Sequence, residues 1–317
     1  MTMKFHETLR DWCDYRNRLC SLGLVATSTW NNQTAICTGI GKTELGQVDT
    51  DAIRKSHIET WMGERLQTCA PVTVRGELNV IRQVFNWCID EQVLTIKPRL
   101  PTLSAPTVQQ TLPSDEAFKW ILANVPAHHA RALEFMMLTG LSPHELERVQ
   151  VQDQVTRPKR GSIIRADQRG KPVEFTDPIL GIGQRADFAV KQPSRRRWMP
   201  LNDRAMQIWL EDAGGSIDPC RHVFPTVEAM QKAIRRAVDA SLGSPGRANG
   251  ADIAPIGSDQ ITPKMMRKWF ASKVANDHPE HVLQRLLGHA PGSPITARHY
   301  VRSTDAQTRD ASEGISL

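Results

Sequence analysis

The sequence predicts a mainly α-helical protein with a small β-sheet, an α+β chain built from two domains. Apolar residues recur at helical spacing through residues 5–100. Residues 149–204 differ, because short β-branched and aromatic runs there indicate strands. Between the two regions, residues 98–113 hold four prolines and little apolar periodicity, which predicts an extended linker. The 317 residues are enough for two hydrophobic cores.

The region before the linker is predicted to be a helical bundle. An apolar stripe that begins at Leu9 indicates the first helix. Thr50 and Asp51 are predicted to cap another helix, which runs through Ile58. Residues 73–89 carry apolar side chains at helical spacing and indicate a further helix.

The region after the linker begins with helices whose ends can be recognised. Ser114 precedes a helix that has two acidic residues in its first turn. The apolar run 133–138 predicts a buried helix that ends at Thr139-Gly140. Ser142-Pro143-His144-Glu145 has the form of a capping box with proline at the first helical position.

Strands are expected next, at residues 163–164, 188–190 and 197–201. The chain then returns to helical patterns at 204–213 and 227–241, followed by a loop rich in glycine, proline and serine over 242–258.

The stretch 261–301 contains the most informative pattern. Thr262-Pro263 starts a helix on which Lys264 and Arg267 lie three residues apart and so share a face. Helix N–H groups, the helix dipole and two cations would then meet at one place, which suits a phosphate. A second helix starts near Pro279 and ends at Gly288. His289 follows directly, and Tyr300 comes eleven residues later.

Composition narrows the possible partners and compartments. The net charge of +6 and the isoelectric point near 9.1 favour a polyanionic partner. The start has no apolar signal region, and no run of 18 apolar residues occurs, so a soluble, cytoplasmic protein without a membrane partner is expected. The scattered cysteines argue against a metal site and against a disulfide framework; they are Cys13, Cys20, Cys37, Cys69, Cys88 and Cys220.

Taken together, the order and spacing of several of these pieces resemble the tyrosine recombinases, the phage-integrase family. Arg267, the triplet Leu287-Gly288-His289 and the late Tyr300 resemble the family's C-terminal boxes. Residues 72–98 resemble the end of its core-binding domain, and residues 188–203 its β-hairpin, in which a lysine precedes the turn. Singly, each piece has an ordinary structural reading, such as a solvated helix charge or a glycine C-cap.

The resemblance implies a domain organisation and a reaction. It implies a helical core-binding domain over 1–97, a linker over 98–113, a catalytic domain over 114–302 and a C-terminal tail over 303–317. The reaction is site-specific DNA recombination or integration, in which a tyrosine cleaves one strand and forms a 3′-phosphotyrosyl link, without metal or cofactor. Partners would be double-stranded DNA and a homo-tetramer assembled on paired sites.

Catalytic roles follow from the resemblance one residue at a time. Tyr300 would be the nucleophile, Arg267 a clamp on the phosphate oxygens and His289 a hydrogen-bond donor to the phosphate. Lys191 would protonate the leaving oxygen. Lys264 stands where the family usually has a histidine, and it can still supply positive charge.

Ser142 departs from the family pattern. The first arginine of the family normally stands just after Thr-Gly-x, where this chain has Ser142 after Thr139-Gly140-Leu141. A neutral hydroxyl there replaces a guanidinium, which is positively charged and can donate two parallel hydrogen bonds. We therefore consider two alternatives to a working recombinase. One is a DNA-binding regulator or accessory protein that does not cleave, and the other is an unrelated basic helical protein. The basic loop 157–171 is one source from which a replacement cation could come.

Several further arginines are candidate DNA contacts. Arg75 and Arg82 lie seven residues apart on one predicted helix face. Arg195, Arg196 and Arg197 crowd the predicted hairpin turn beside the phosphate-binding constellation, which favours contact with the DNA backbone.

Overall fold

The computed structural model forms two compact units, residues 1–108 and 109–317. The division falls inside the predicted linker 98–113, while the exact domain boundaries and the tail 303–317 stay predictions. The structure describes the backbone of residues 3–104, 112–155, 163–166, 172–175, 178–188, 190, 192–242, 255, 257–290 and 292–293. Side chains of 163–166, 172–175 and 242 lie outside this description.

The first unit is a helical bundle, as the periodicity predicts. Its apolar faces meet in one core, where the rings of Phe5 and Phe85 stack with their centroids 5.2 Å apart. Trp12 and Trp61 are almost fully buried in the same core. The helices are α1 (Phe5–Ser21), α2 (Thr27–Gly41), α3 (Glu44–Gln47), α4 (Lys55–Thr68) and α5 (Pro71–Asp90).

The start of α4 differs from the prediction at Thr50. Residues 50–52 form a separate 3₁₀ turn, and buried Ile53 is extended, so that α4 begins only at Lys55. The Thr50 hydroxyl instead bonds to the main chain of Met3 (3.0 Å) and to the side chain of Thr8 (2.7 Å). It therefore ties this turn to α1 and does not cap a helix.

Seven helices build most of the described part of the second unit. Among them α7 is central, because it packs against α6, α9 and α11 and is buried along Leu133, Phe135 and Met136. The helices are α6 (Asp115–Asn124), α7 (Ala127–Thr139), α8 (Pro143–Leu146), α9 (Asp203–Ala213), α10 (Val227–Leu242), α11 (Pro263–Asp277) and α12 (Glu280–Leu287).

Small antiparallel sheets complete the second unit. One has the strand order β1-β4-β5, and in it Ile182 of β4 lies opposite Arg197 of β5. The other pairs β2 with β3. The strands are β1 (Gln154–Val155), β2 (Ile163–Ala166), β3 (Pro172–Phe175), β4 (Ile179–Ile182) and β5 (Arg197–Pro200). The predicted class, mainly α with a small sheet, is confirmed.

The strand expected at residues 188–190 is wrong. Phe188 and Val190 lie outside any strand, and the partner of β5 is β4, which ends at Ile182. All four residues of β4 are buried, so its sequence lacks the alternation of a half-exposed strand. Phe188 fills the core from a turn, in which its N–H donates to the carbonyl of Arg185 over 3.2 Å.

None of the helices in the described ranges has the length and apolar character needed to cross a membrane.

Candidate active site

A buried carboxylate, that of Glu145, organises the candidate site. Ser142 caps α8, and Glu145 completes the capping box because its Oε2 accepts a hydrogen bond from the Ser142 N–H over 2.8 Å. The same carboxylate, whose residue is 5% exposed, accepts hydrogen bonds from two arginines. Arg197 donates through Nη1 at 3.1 Å and Nη2 at 3.2 Å, and Arg267 through Nη1 at 3.3 Å.

Arg267 joins the segment after α7 to the segment after α12. Its Nη1 donates to the carbonyl of Gly140 and its Nη2 to the carbonyl of Leu287, both over 2.7 Å. Gly140 has φ +66°, and a Cβ there would collide with the ring of Phe270, so glycine is required. A single guanidinium therefore holds the Thr-Gly turn and the Leu-Gly-His turn together.

His289 lies against the Arg267 guanidinium. The His289 Nε2 is 3.5 Å from Arg267 Nη2, and the residue is 9% exposed. Burial, and then the positive charges of Arg267, Arg195 and Arg197, lower the pKa of His289 to about 4. The imidazole is therefore neutral at pH 7. Because a guanidinium can only donate, Nε2 is the acceptor of the pair and the ring proton is assigned to Nδ1.

Arg197 reaches the site from β5. The residue is 4% exposed, and its Nη1 also donates to the carbonyl of Arg195 over 2.9 Å. It lies against Gly288, which ends α12 with φ +67°. A Cβ at Gly288 would lie 2.8 Å from Arg197 Nη1 and 3.0 Å from the Cα of Arg195. Gly288 is thus needed both for its backbone conformation and for the closeness of Arg197.

The buried groups carry a net positive charge. Burial by itself raises the pKa of Glu145, but the charges of Arg197 and Arg267, with their hydrogen bonds, outweigh it and hold that pKa at about 2. Glu145 is therefore ionised and neutralises one guanidinium of the two. Since His289 is neutral, the buried arginines, carboxylate and imidazole described here sum to one positive charge. Such a cluster is suited to a bound anion.

The other predicted catalytic residues are placed less fully. Lys264 lies in the first turn of α11 and is exposed, one turn before buried Arg267. Lys191 and Tyr300 lie outside the described residues. Their predicted roles, like those of Arg267, His289 and Lys264, stay predictions.

The predicted DNA-contacting arginines occupy three kinds of environment. Arg196 is exposed, whereas Arg195 is partly buried, with its Nη1 3.8 Å from Glu145 Oε1. Arg197 is enclosed, as described above, to the same extent as Arg267. In the first unit Arg75 is exposed on α5, and Arg82 is half-buried with its guanidinium on the side chain of Asn79.

Sequence reasoning did not find that Glu145 would bind two arginines, nor that Arg197 would be buried. A weak signal was present for each. The sequence identifies Glu145 as a capping residue and, with Leu146, as part of the family's frame, but a carboxylate beside a predicted phosphate site also needs cationic partners. Arg196 is extended and β5 begins at Arg197, and because successive residues of an extended chain point to opposite faces, only one of these two arginines can face inward.

The chain shares its fold with two integrases of known structure. The Tn1549 transposon integrase in complex with a circular intermediate DNA superimposes with a TM-score of 0.71 at 16% identity, over 99% of this chain and 100% of that chain. A lambda integrase dimer bound to a COC′ core site gives 0.64 at 14% identity, over 96% and 80%. A lambda integrase tetramer bound to a Holliday junction gives 0.63 at 15% identity, again over 96% and 80%.

At these identities the likeness establishes the fold alone. No protein-family model and no curated protein sequence matches the chain.

Proposed function

We propose that this protein is a tyrosine recombinase that cleaves and rejoins DNA at specific sites. The observation that carries the proposal is the buried, net-positive cluster of Arg197, Arg267, Glu145 and His289, set in a fold that is shared with two integrases over nearly the whole chain. A scissile phosphodiester is an anion whose oxygens gain charge in the transition state. A fixed cationic site suits that change.

The proposed reaction is transfer of a phosphoryl group to Tyr300. The phenolic oxygen of Tyr300 attacks phosphorus and gives its proton to solvent, the bond from phosphorus to the 5′-oxygen breaks, and a 3′-phosphotyrosyl link forms. Lys191 gives a proton to the departing 5′-oxygen, which leaves as a hydroxyl. The energy of the broken bond is retained in the new link, so a second 5′-hydroxyl can reverse the step and join a new strand.

Arg267 and His289 would act on the non-bridging oxygens. The carbonyls of Gly140 and Leu287 and the Glu145 carboxylate hold the Arg267 guanidinium in place, so little reorganisation is needed when charge develops. His289 with its proton on Nδ1 is a neutral hydrogen-bond donor. Lys264, exposed one turn earlier on α11, would add positive charge near the same end of the helix.

The partner in this proposal is double-stranded DNA, held by both units. Support comes from the solved neighbours, which are complexes with DNA. The lambda integrase tetramer on a Holliday junction supports a homo-tetramer on paired sites as the working assembly. The tail 303–317 is proposed to contact a neighbouring subunit.

A second candidate function is a DNA-binding protein that does not cleave. Ser142 favours this alternative, because its hydroxyl receives the Glu145 N–H at 3.4 Å as a helix cap, and it supplies no cation. Losing one fixed donor to a transition state typically costs about 10²–10³ in rate.

Trapping of a covalent adduct tests the proposal. The probe is a duplex selected from a random library by binding to the full chain, then nicked close to the cleavage position so that the released 5′ fragment diffuses away. We expect a denaturation-resistant protein–DNA adduct that is lost in Tyr300→Phe, with the affinity for DNA retained. A chain that binds the duplex without forming an adduct, and gains one through Ser142→Arg, would favour the non-cleaving alternative.

A further inference from the structure

Position 142, where the resemblance places an arginine, shares the Glu145 carboxylate with the buried guanidinium of Arg197. This inference rests on the proposed function, since it concerns the same scissile phosphate. The Ser142 N–H donates a hydrogen bond to Glu145 Oε2 over 2.8 Å, so the carboxylate lies directly beside residue 142. The guanidinium of Arg197 binds the same carboxylate with two hydrogen bonds, of 3.1 and 3.2 Å.

Arg197 is also placed symmetrically with Arg267. Both guanidiniums donate to Glu145, Arg197 to both carboxylate oxygens and Arg267 to Oε2. Both also approach the turn after α12, because Arg267 bonds to the carbonyl of Leu287 and Arg197 lies against Gly288. The two residues are buried to the same extent, each 4% exposed. Arg197 is therefore as accessible as Arg267, the arginine that the resemblance assigns to the phosphate.

The Nε–H of the Arg197 guanidinium has no hydrogen-bond acceptor among the described residues. Its Nη groups are used by Glu145 and by the carbonyl of Arg195, while its Nε is buried. Buried donors are nearly always paired in folded proteins. A free N–H on a buried cation, beside a site with net positive charge, is a group that an anionic oxygen would satisfy.

We propose that Arg197, from strand β5, supplies the guanidinium that the chain lacks at position 142, and that it contacts a non-bridging oxygen of the scissile phosphate. The phosphate clamp is then two arginines on one carboxylate, Arg267 from α11 and Arg197 from β5. Serine at 142 is compatible with cleavage because the cation has moved from the helix to the strand.

The test compares cleavage by Arg197 variants on two forms of the selected, nicked duplex. One has an ordinary scissile phosphodiester, and the other has a methylphosphonate there, which carries no negative charge. Arg197→Gln removes the cation, and Arg197→Lys keeps a charge for Glu145 while losing the planar fork and Nε. Arg131→Gln is the matched control, since Arg131 bonds to Asp212 in the same unit and away from the site.

On the phosphodiester we expect both Arg197 variants to cleave about 10²–10³-fold more slowly than the wild type at saturating DNA, while their affinity for DNA changes only a few-fold. Arg131→Gln should cleave like the wild type. On one methylphosphonate diastereomer the gap between wild type and Arg197 variants should shrink to about 10-fold or less, because the charge that Arg197 would neutralise is gone. Adding Ser142→Arg to Arg197→Gln should restore cleavage at least partly.

Cleavage by Arg197→Lys at the wild-type rate would overturn the inference and leave Arg197 as a charge partner of Glu145 alone. An unchanged gap on both methylphosphonate diastereomers would also overturn it. Arg197→Lys carries the test if Arg197→Gln does not fold. These outcomes are distinct from failure of the proposed function, in which the wild-type chain itself forms no adduct with the DNA it binds.

Discussion

Replacing Glu145 by glutamine removes a negative charge that the two buried arginines share. Glutamine has the same shape, and its carbonyl oxygen can still accept the Ser142 N–H that now lies 2.8 Å from Oε2. The charge–charge attraction to Arg197 and Arg267 is lost, and one of the two acceptor oxygens becomes an amide NH₂ group. The substitution therefore measures the electrostatic contribution of the cluster with little change in packing.

The expected loss of stability is about 3 kcal/mol. The pKa of Glu145 falls from its ordinary 4.5 to about 2 in the folded protein. At about 1.4 kcal/mol per pKa unit, this corresponds to about 3 kcal/mol of stabilisation near neutral pH. Removing one partner of a buried ion pair typically costs about 3–5 kcal/mol, which agrees.

The loss should also depend on pH in a defined direction. Because the folded-state pKa is depressed, the contribution of Glu145 is present above pH 4.5 and is lost as the pH falls towards 2. The difference between wild type and Glu145→Gln should be about 3 kcal/mol at pH 6 and about half as large at pH 3.

Urea titration read by hydrogen exchange and mass spectrometry measures the second unit by itself. Peptides from α7 and α11 report the unfolding free energy at each pH. Glu134→Gln is the control, since Glu134 bonds to Arg204 in an exposed pair of the same unit and should cost less than about 1 kcal/mol. A loss in Glu145→Gln that is no larger than in this control, or that does not shrink at low pH, would refute the reasoning.

Three further predictions concern the same site and the DNA surface. Gly288→Ala should destabilise the second unit by more than Gly215→Ala, measured by the same urea titration. Both glycines have positive φ, +67° and +77°, but only at Gly288 would the new Cβ meet neighbouring atoms; equal losses would contradict this. His289 should stay neutral in the free protein down to about pH 5, with an NMR titration midpoint near 4, because burial and three arginines lower its pKa; a midpoint near 6.5 would contradict this. Arg75→Ala should lower the slope of log affinity against log salt by about 0.9, measured by fluorescence anisotropy on the selected duplex; an unchanged slope would remove Arg75 from the DNA contacts.

Helix ends were readable from the sequence because they depend on local chemistry. Ser114 accepts from the N–H of Ala117, and Ser142 and Glu145 form the expected capping box. Gly140 and Gly288 end their helices in the left-handed conformation that favours glycine. Each of these features needs only neighbouring residues, so the residue types alone predict them.

The parts that sequence reasoning missed depend on contacts between distant residues. Strand β4 is buried throughout, and such a strand has no alternating pattern to recognise. Arg197 stands in a run of three arginines, which resembles a solvated surface. Its burial follows from Glu145, which lies 52 residues earlier in the chain. The assembly of Arg197, Arg267 and Glu145 becomes visible only when the fold brings β5, α8 and α11 together.

Identifying the amino acid that carries DNA after cleavage is the most direct measurement of the proposed chemistry. The trapped adduct of the full chain is digested with nuclease and protease, and mass spectrometry locates the residue that bears the remaining nucleotide. A 3′-linked nucleotide on Tyr300, absent from Tyr300→Phe, is the expected result. A nucleotide on another residue, or an adduct that persists in Tyr300→Phe, would contradict the assignment of Tyr300 as nucleophile.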